Sequence, residues 1–333
     1  MQWKIARPGR LADRFNQWAI RRGFPALAWL APKAPRGFLL FHARWIIALV
    51  MFVYSQPKAA IARNLARVLG APSDSRRVRR ATRAMLRHFA FYWVDLFRFA
   101  QLPPERLREL VVDGDLETLE PLRRRRAGGK KTILITAHLG NWELGGVLAG
   151  QAGLPLAVVY VPDAFGDAER FRSRLRRNAD LVEIPLKLDD ERSSLPVLRA
   201  LNEGRIVALQ GDRDFNDRGV RRPFLGAEAS FPPGPFLLAR MSGAELVPTF
   251  ITYSETYRFA IELGEPIEVE RTDDRRRDVE RALDRWLAVL ERAVKRWPTQ
   301  WYNFHDFWES GTPGAATGAS AAESSGARTR AAS

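Results

Sequence analysis

The residues of this 333-residue chain best suited to chemistry lie in one hexapeptide, His138-Leu139-Gly140-Asn141-Trp142-Glu143. Histidine is the side chain whose ordinary pKa suits general-base work near neutrality. A carboxylate beside it can accept one imidazole proton and fix the tautomer. The other ring nitrogen is then free to take a proton from a hydroxyl, the His–carboxylate half of a catalytic triad. On a continuous helix the spacing is wrong, because five residues subtend about 500° and leave the two side chains roughly 140° apart. His138 and Glu143 can cooperate only if His138 sits in a turn and Glu143 in the first turn of the helix that follows. Gly140 and Asn141 permit such a turn, and a carboxylate near a helix N-terminus is favoured by the dipole. A histidine and a glutamate that merely cap a helix would show the same spacing.

Two further clusters carry suitable residue types. In Gly211-Asp212-Arg213-Asp214-Phe215, Arg213 can neutralise an oxyanion or a phosphate, and Asp212 and Asp214 can orient it or the acceptor. A surface turn with self-compensated charges has the same composition. The stretch 170–177 holds Arg170, Arg172, Arg174, Arg176 and Arg177. At helical spacing Arg170, Arg174 and Arg177 share a face, which suits a phosphate-rich substrate; most of these arginines are expected in solvent, with one or two entering a cleft.

These clusters need a scaffold. Six short β-branched apolar runs, Thr132–Ala137, Leu156–Val161, Leu181–Pro185, Arg205–Gln210, Leu246–Thr252 and Tyr257–Leu263, read as buried strands. Helical patterns at Asp167–Asn178, Ser193–Asn202, Pro235–Ser242 and Asp278–Trp297 separate or follow them. The alternation predicts an α/β domain over residues 101–310, with a central, mostly parallel sheet flanked by helices. His138 follows the first strand directly and Asp212 the fourth, and open α/β sheets place their sites at the carboxyl ends of strands.

Residues 1–100 read as helical. The apolar stretch Gly37–Tyr54 has roughly the length a bilayer requires, but His42 and Arg44 interrupt it, and a buried arginine costs about 3 kcal/mol on insertion scales. A partly inserted or interfacial, membrane-associating helix is therefore expected, with the Trp- and Arg-bearing segment Arg21–Pro32 at headgroup level. Core helices of a folded domain would look similar. Ser75–Phe99 begins with arginines and ends with aromatics; its basic half is expected to be solvated or to face phosphates. Residues 311–333 collapse to Gly, Ala, Ser and Thr and are expected to be disordered.

Lys plus Arg number 53 against 38 Asp plus Glu, a net charge of +15. That favours an anionic partner. No nucleic-acid recognition motif accompanies the charge, so nucleic acid is not expected. The chain has no cysteine, which excludes disulfides and thiolate catalysis. Its four histidines, His42, His88, His138 and His305, are far apart, so a histidine-based metal site is not expected.

With these residues assembled, the chain resembles the lipid A biosynthesis acyltransferase family, the late lauroyl and myristoyl transferases of Gram-negative bacteria. Five ordered segments carry the resemblance: ARNLARVLG (62–70), HLGNWE (138–143), QGDRDFNDRGVRRPFLG (210–226), FPPGPFLLARMSGAELVPTF (231–250) and QWYNFHDFW (300–308). The resemblance implies transfer of a fatty acyl chain from acyl carrier protein or acyl-CoA to a lipid hydroxyl, at the cytoplasmic face of a bacterial inner membrane. It implies His138 as general base, Glu143 as its partner, an arginine near Arg174 or Arg176, and Asp212 or Asp214 in the site. It implies no metal and no bound cofactor. The family tends to end its last motif with a basic stretch, where this chain has Asn303-Phe304-His305-Asp306. A lipid A-type acceptor, another glycolipid such as a phosphatidylinositol mannoside-like lipid, an ornithine-type lipid or a polyene lipid fits the same chemistry. An alternative enzyme reading is the glycerolipid acyltransferase superfamily, which shares a His-x4-Asp motif, and a reading from a different class is a non-catalytic lipid-binding protein.

Overall fold

The computed structural model describes residues 29–308, except positions 32, 54, 100–101, 103–105, 108, 113–116, 163–165 and 188–189. The expected disorder of 311–333 and the headgroup role of residues 21–28 lie outside the described residues. Among the described residues, helices α1 (Arg36–Val53), α2 (Ser55–Leu69) and α3 (Arg76–Phe99) precede a short helix α4 (Glu120–Ala127). The alternating part follows: β1 (Thr132–Thr136), α5 (Trp142–Gln151), β2 (Leu156–Tyr160), α6 (Gly166–Asn178), β3 (Val182–Pro185), α7 (Leu195–Asn202) and β4 (Ile206–Gln210). A hairpin of β5 (Val220–Phe224) and β6 (Ala227–Phe231) leads to α8 (Gly234–Ser242), β7 (Glu245–Tyr253), β8 (Phe259–Leu263) and α9 (Arg275–Arg296).

Six strands form one sheet in the order β3-β2-β4-β1-β7-β8. The first five are parallel, and β8 pairs antiparallel with β7 at one edge. All six strands expected from the apolar runs are present. The β5–β6 hairpin was not anticipated. Its signal is the two-residue turn Leu225-Gly226, both at positive φ, which matches the twist of flanking strands.

Side chains of β1 alternate between two apolar clusters. Leu134 joins α3, α5 and α6 on one face, whereas Ile133 and Ile135 join α7, α8 and α9 on the other. The period-2 geometry of a strand thus feeds two cores from one apolar run. The first cluster runs from Leu39 of α1 and Ile61 and Leu65 of α2 through α3 into the sheet. The N-terminal helices therefore share a core with the α/β part. Among the described residues no helix is long and apolar enough to cross a membrane.

Candidate active site

The register of the sheet builds the site. Thr136, the last residue of β1, is paired with Gln210, the last residue of β4. Two residues beyond each strand end stand His138 and Asp212. His138 Nδ1 lies 2.8 Å from Asp212 Oδ1, and the His138 backbone N–H donates to Oδ2 at 3.1 Å. The indole N–H of Trp301 donates to the same Oδ2 at 3.1 Å. Asp212 is fully buried and His138 is 7% exposed. An ionised carboxylate accepts only, so the imidazole proton sits on Nδ1 and the lone pair on Nε2.

Electrostatics agree with that assignment. Burial, and then the nearby Arg213 guanidinium, push His138 down to about 4 against the opposing pull of Asp212. Burial works to raise Asp212, but its interactions with His138 and Arg213 prevail and hold it at about 2. At neutral pH the pair is a neutral imidazole and a carboxylate, the state a general base requires.

Local backbone geometry turns His138 out of the sheet and starts α5. Gly140 has φ +69°, and a Cβ there would stand 1.9 Å from the Ile251 carbonyl oxygen, so only glycine fits. The tight approach lets Gly140 N–H donate to Gln300 O and Asn141 N–H donate to Ile251 O. Asn141 then caps α5, its side-chain oxygen accepting from Leu144 N–H at 3.2 Å. The turn expected at Gly140 and Asn141 is present.

Its consequence differs from the expectation. Glu143 does stand in the first turn of α5, but its carboxylate faces Arg176 rather than His138. Arg176 Nη2 donates to Glu143 Oε1 at 2.6 Å and Nε to Oε2 at 3.1 Å, a bidentate pair almost wholly buried. Arg176 also reaches Glu169 and Glu183, and its guanidinium lies 4.3 Å from the Tyr160 ring centre. Arg172, also buried, lies 3.9 Å from Glu143 and 5.3 Å from the Trp93 ring centre. Glu143 is thus the anchor of a buried arginine–carboxylate cluster, and Asp212 holds the place beside the imidazole.

The remaining expected residues separate cleanly. Arg174 is exposed, as are Arg170 and Arg177; the three do share a helix face, but it is the solvent face, and Arg172 and Arg176 turn inward. Asp214 organises the loop into β5, accepting from Gly219 N–H at 2.8 Å and from Ser230 Oγ at 2.7 Å. Arg213 is buried against the C-terminal segment. Its Nε donates to Asn303 Oδ1 at 2.8 Å and its Nη2 to the Tyr302 carbonyl.

That segment is what the residue-by-residue reading missed. Tyr302 N–H donates to the His138 carbonyl, and Trp301 holds Asp212. Asn64 of α2 donates to the carbonyls of Asn303 and His305 and accepts from Phe307 N–H. The segments ARNLARVLG and QWYNFHDFW were both legible as motifs, but their mutual contact was not. Asn303 Nδ2, Thr136 Oγ1 and Gln210 Nε2 are buried without partners at this end of the sheet. Trp142, 5.3 Å from His138 and 5.0 Å from Tyr92 between ring centres, also lines a narrow apolar crevice between α5 and the sheet with Leu134, Ala149 and Ile251.

A neutral histidine held by a buried aspartate at the carboxyl ends of two parallel strands is an arrangement chemically able to accept a proton, carried on an α/β scaffold. A profile of the bacterial lipid A biosynthesis acyltransferase family matches residues 11–310, and the chain belongs to that family of acyltransferases. It is 32% identical over 199 residues to a phosphatidylinositol mannoside acyltransferase of Mycolicibacterium smegmatis, covering 56% of this chain and 60% of the relative. It is 31% identical over 245 residues to a phosphatidylinositol mannoside acyltransferase of Mycobacterium tuberculosis, covering 70% and 72%. A lipid A biosynthesis palmitoleoyltransferase of Escherichia coli is 23% identical over 209 residues, covering 61% and 63%.

Proposed function

We propose that this protein transfers a fatty acyl chain from an acyl thioester, carried by acyl carrier protein or coenzyme A, to a hydroxyl of a glycolipid at a membrane surface. The single observation that carries the reading is the buried His138–Asp212 pair with Nε2 left as the free base. His138 Nε2 takes the proton of the acceptor hydroxyl as its oxygen attacks the thioester carbonyl. The Asp212 carboxylate stabilises the imidazolium that forms. Collapse of the tetrahedral intermediate breaks the C–S bond, and the proton on Nε2 passes to the leaving thiolate. Asn303, with its unpartnered Nδ2, and Arg213 supply nearby positive potential for the developing oxyanion.

The higher identity to the mannoside acyltransferases favours a glycosylated phospholipid acceptor over lipid A. Glu143, Arg172 and Arg176 are assigned a positioning role, holding α5 against α6. The narrow crevice beside Trp142 is assigned to the first part of the acyl chain. Membrane association is assigned to α1, which exposes Phe38, Phe41 and Trp45, the last at 61%, at helical spacing on one face. The cytoplasmic face of the inner membrane is the location this chemistry requires when the donor is a cytosolic thioester.

The test is acyl transfer by His138→Ala, assayed by mass spectrometry of a mannosylated phosphoinositide acceptor supplied with an acyl thioester. Loss of a general base lowers the rate by about 10²–10⁴, with vesicle binding retained. Undiminished transfer by that variant would overturn the mechanism.

A further inference from the structure

The N-terminal half of α3 carries six arginines that the site does not use. Arg76, Arg77, Arg79, Arg80, Arg83 and Arg87 are all exposed. At 100° per residue Arg76, Arg80, Arg83 and Arg87 fall within about 60° of one another and form a straight stripe roughly 16 Å long. Val78, Thr82, Met85 and Phe89 on the opposite side are buried. The stripe is therefore the outward edge of a helix firmly docked in the core.

Its electrostatics are unfavourable in isolation. Elsewhere in the molecule arginines commonly meet a carboxylate, as Arg36, Arg63, Arg125, Arg176, Arg222 and Arg240 do. Among the described residues no ion pair includes any of these six arginines in the N-terminal half of α3. Arg79 bonds the backbone carbonyl of Asp74 instead. The first turn of α3 holds no acidic residue, so Arg76, Arg77 and Arg79 sit at the end of the helix where the dipole disfavours cations. Like charges at i,i+4, as at 76/80 and 83/87, repel further. Such an arrangement lowers the stability of the free protein and is relieved when an anionic surface neutralises it.

We infer that the arginine stripe of α3 is a binding surface for the phosphates of an anionic phospholipid leaflet, and that it sets the preference of this protein for anionic over neutral membranes. The neighbouring helix decides for lipid over an acidic protein. α1 is fastened to α3 by the bidentate Arg36–Asp95 pair, and the segment leading into α1 by Arg98 donating to the Ala31 and Ala34 carbonyls. Its own exposed stripe is aromatic: Phe38, Phe41 and Trp45. An exposed arginine stripe and an exposed aromatic stripe on two helices packed together supply the two kinds of side chain that interfacial binding combines. This inference rests on the membrane association proposed above and adds the headgroup chemistry.

The test uses the full chain and vesicles of pure phosphatidylcholine or of phosphatidylcholine with phosphatidylglycerol. Wild type should bind the anionic vesicles more tightly by about fivefold for each arginine engaged, an increment that falls with salt. The quadruple variant Arg76→Gln, Arg80→Gln, Arg83→Gln, Arg87→Gln should lose most of that increment while binding neutral vesicles as wild type does. It should also unfold at an equal or higher temperature, because the repulsion is gone. Equal wild-type binding to both vesicle types overturns this inference and leaves the membrane reading standing; binding to neither overturns both. A variant that keeps its anionic preference, or that loses turnover with acyl carrier protein but not with acyl-CoA while vesicle binding is unchanged, overturns the assignment of the stripe to lipid.

Discussion

At the scale of single residues, the site divides its two carboxylates by environment. Asp212 meets the imidazole and the Trp301 indole; Glu143 meets two guanidinium groups. Asp212→Asn removes the acceptor that fixes the His138 tautomer and is expected to lower the rate by on the order of 10³–10⁴. Glu143→Gln leaves the buried Arg176 charge short of one partner, so it is expected to cost about 3 kcal/mol of stability and to leave the pH profile of surviving activity unchanged. Denaturant unfolding and kcat/KM against pH, measured on both variants, separate the two roles. In the wild type His138 is already neutral well below pH 6.5, so kcat/KM should stay level from neutrality to about pH 5 and fall only as His138 protonates near 4; an inflection at the ordinary histidine value would contradict the buried-base geometry. The same shift predicts acid lability. His138 and His305 are held down to about 4, and His88 is also lowered, each by burial first. Their unfolded counterparts bind protons near 6.5, so the unfolded state takes up more protons below that value. For His138 and His305 this contribution to stability is complete above pH 6.5 and is lost as pH falls through 4, a loss readable as a falling urea midpoint to which His88 adds in the same direction.

At the scale of elements, the turn between β1 and α5 is the joint that matters most. Gly140→Ala forces a β-carbon into the Ile251 carbonyl at a positive φ, and the neighbouring bonds to Ile251 and Gln300 must break. The expected cost is about 3 kcal/mol, with activity falling further than stability because His138 is two residues away. Urea unfolding and turnover measured together test this. The hexapeptide made the turn legible, since glycine and asparagine are the residues such geometry demands. It could not make the partner legible. His138 and Asp212 are separated by 74 positions in sequence, and what joins them is the β1–β4 register, a long-range pairing with β4 inserted between β1 and β2.

At the scale of the whole molecule, the N-terminal helices are fastened to the catalytic scaffold by a buried polar knot. Asp95 of α3, fully buried, accepts from Arg36 of α1 through both oxygens and from the Tyr253 hydroxyl of β7 at 3.0 Å. Asp95→Ala strips three donors of their acceptor and leaves Arg36 uncompensated, with an expected cost of about 3–5 kcal/mol. If the knot holds α1, limited proteolysis of that variant should cut within residues 36–53 long before the sheet is attacked; an unchanged digestion pattern would show α1 to be held without the knot.

Local information sufficed wherever a property repeats over a few residues. The six strands, the four helices read between and after them, the turn at Gly140-Asn141 and the placement of His138 and Asp212 just past strand ends all follow from periodicity and turn chemistry in short windows. The family resemblance follows from five such windows in order. Tertiary structure decided what those residues touch. It gave Asp212, not Glu143, to the imidazole; it turned Arg172 and Arg176 inward and left Arg174 in solvent; it sent Asp214 to a loop and brought Asn64, Trp301 and Asn303 to the site from the two ends of the chain. The physical reason is that a helix face or strand run is set by neighbouring dihedrals. Which polar side chain becomes buried beside which other is set by sheet register and by the requirement that every buried charge find a partner.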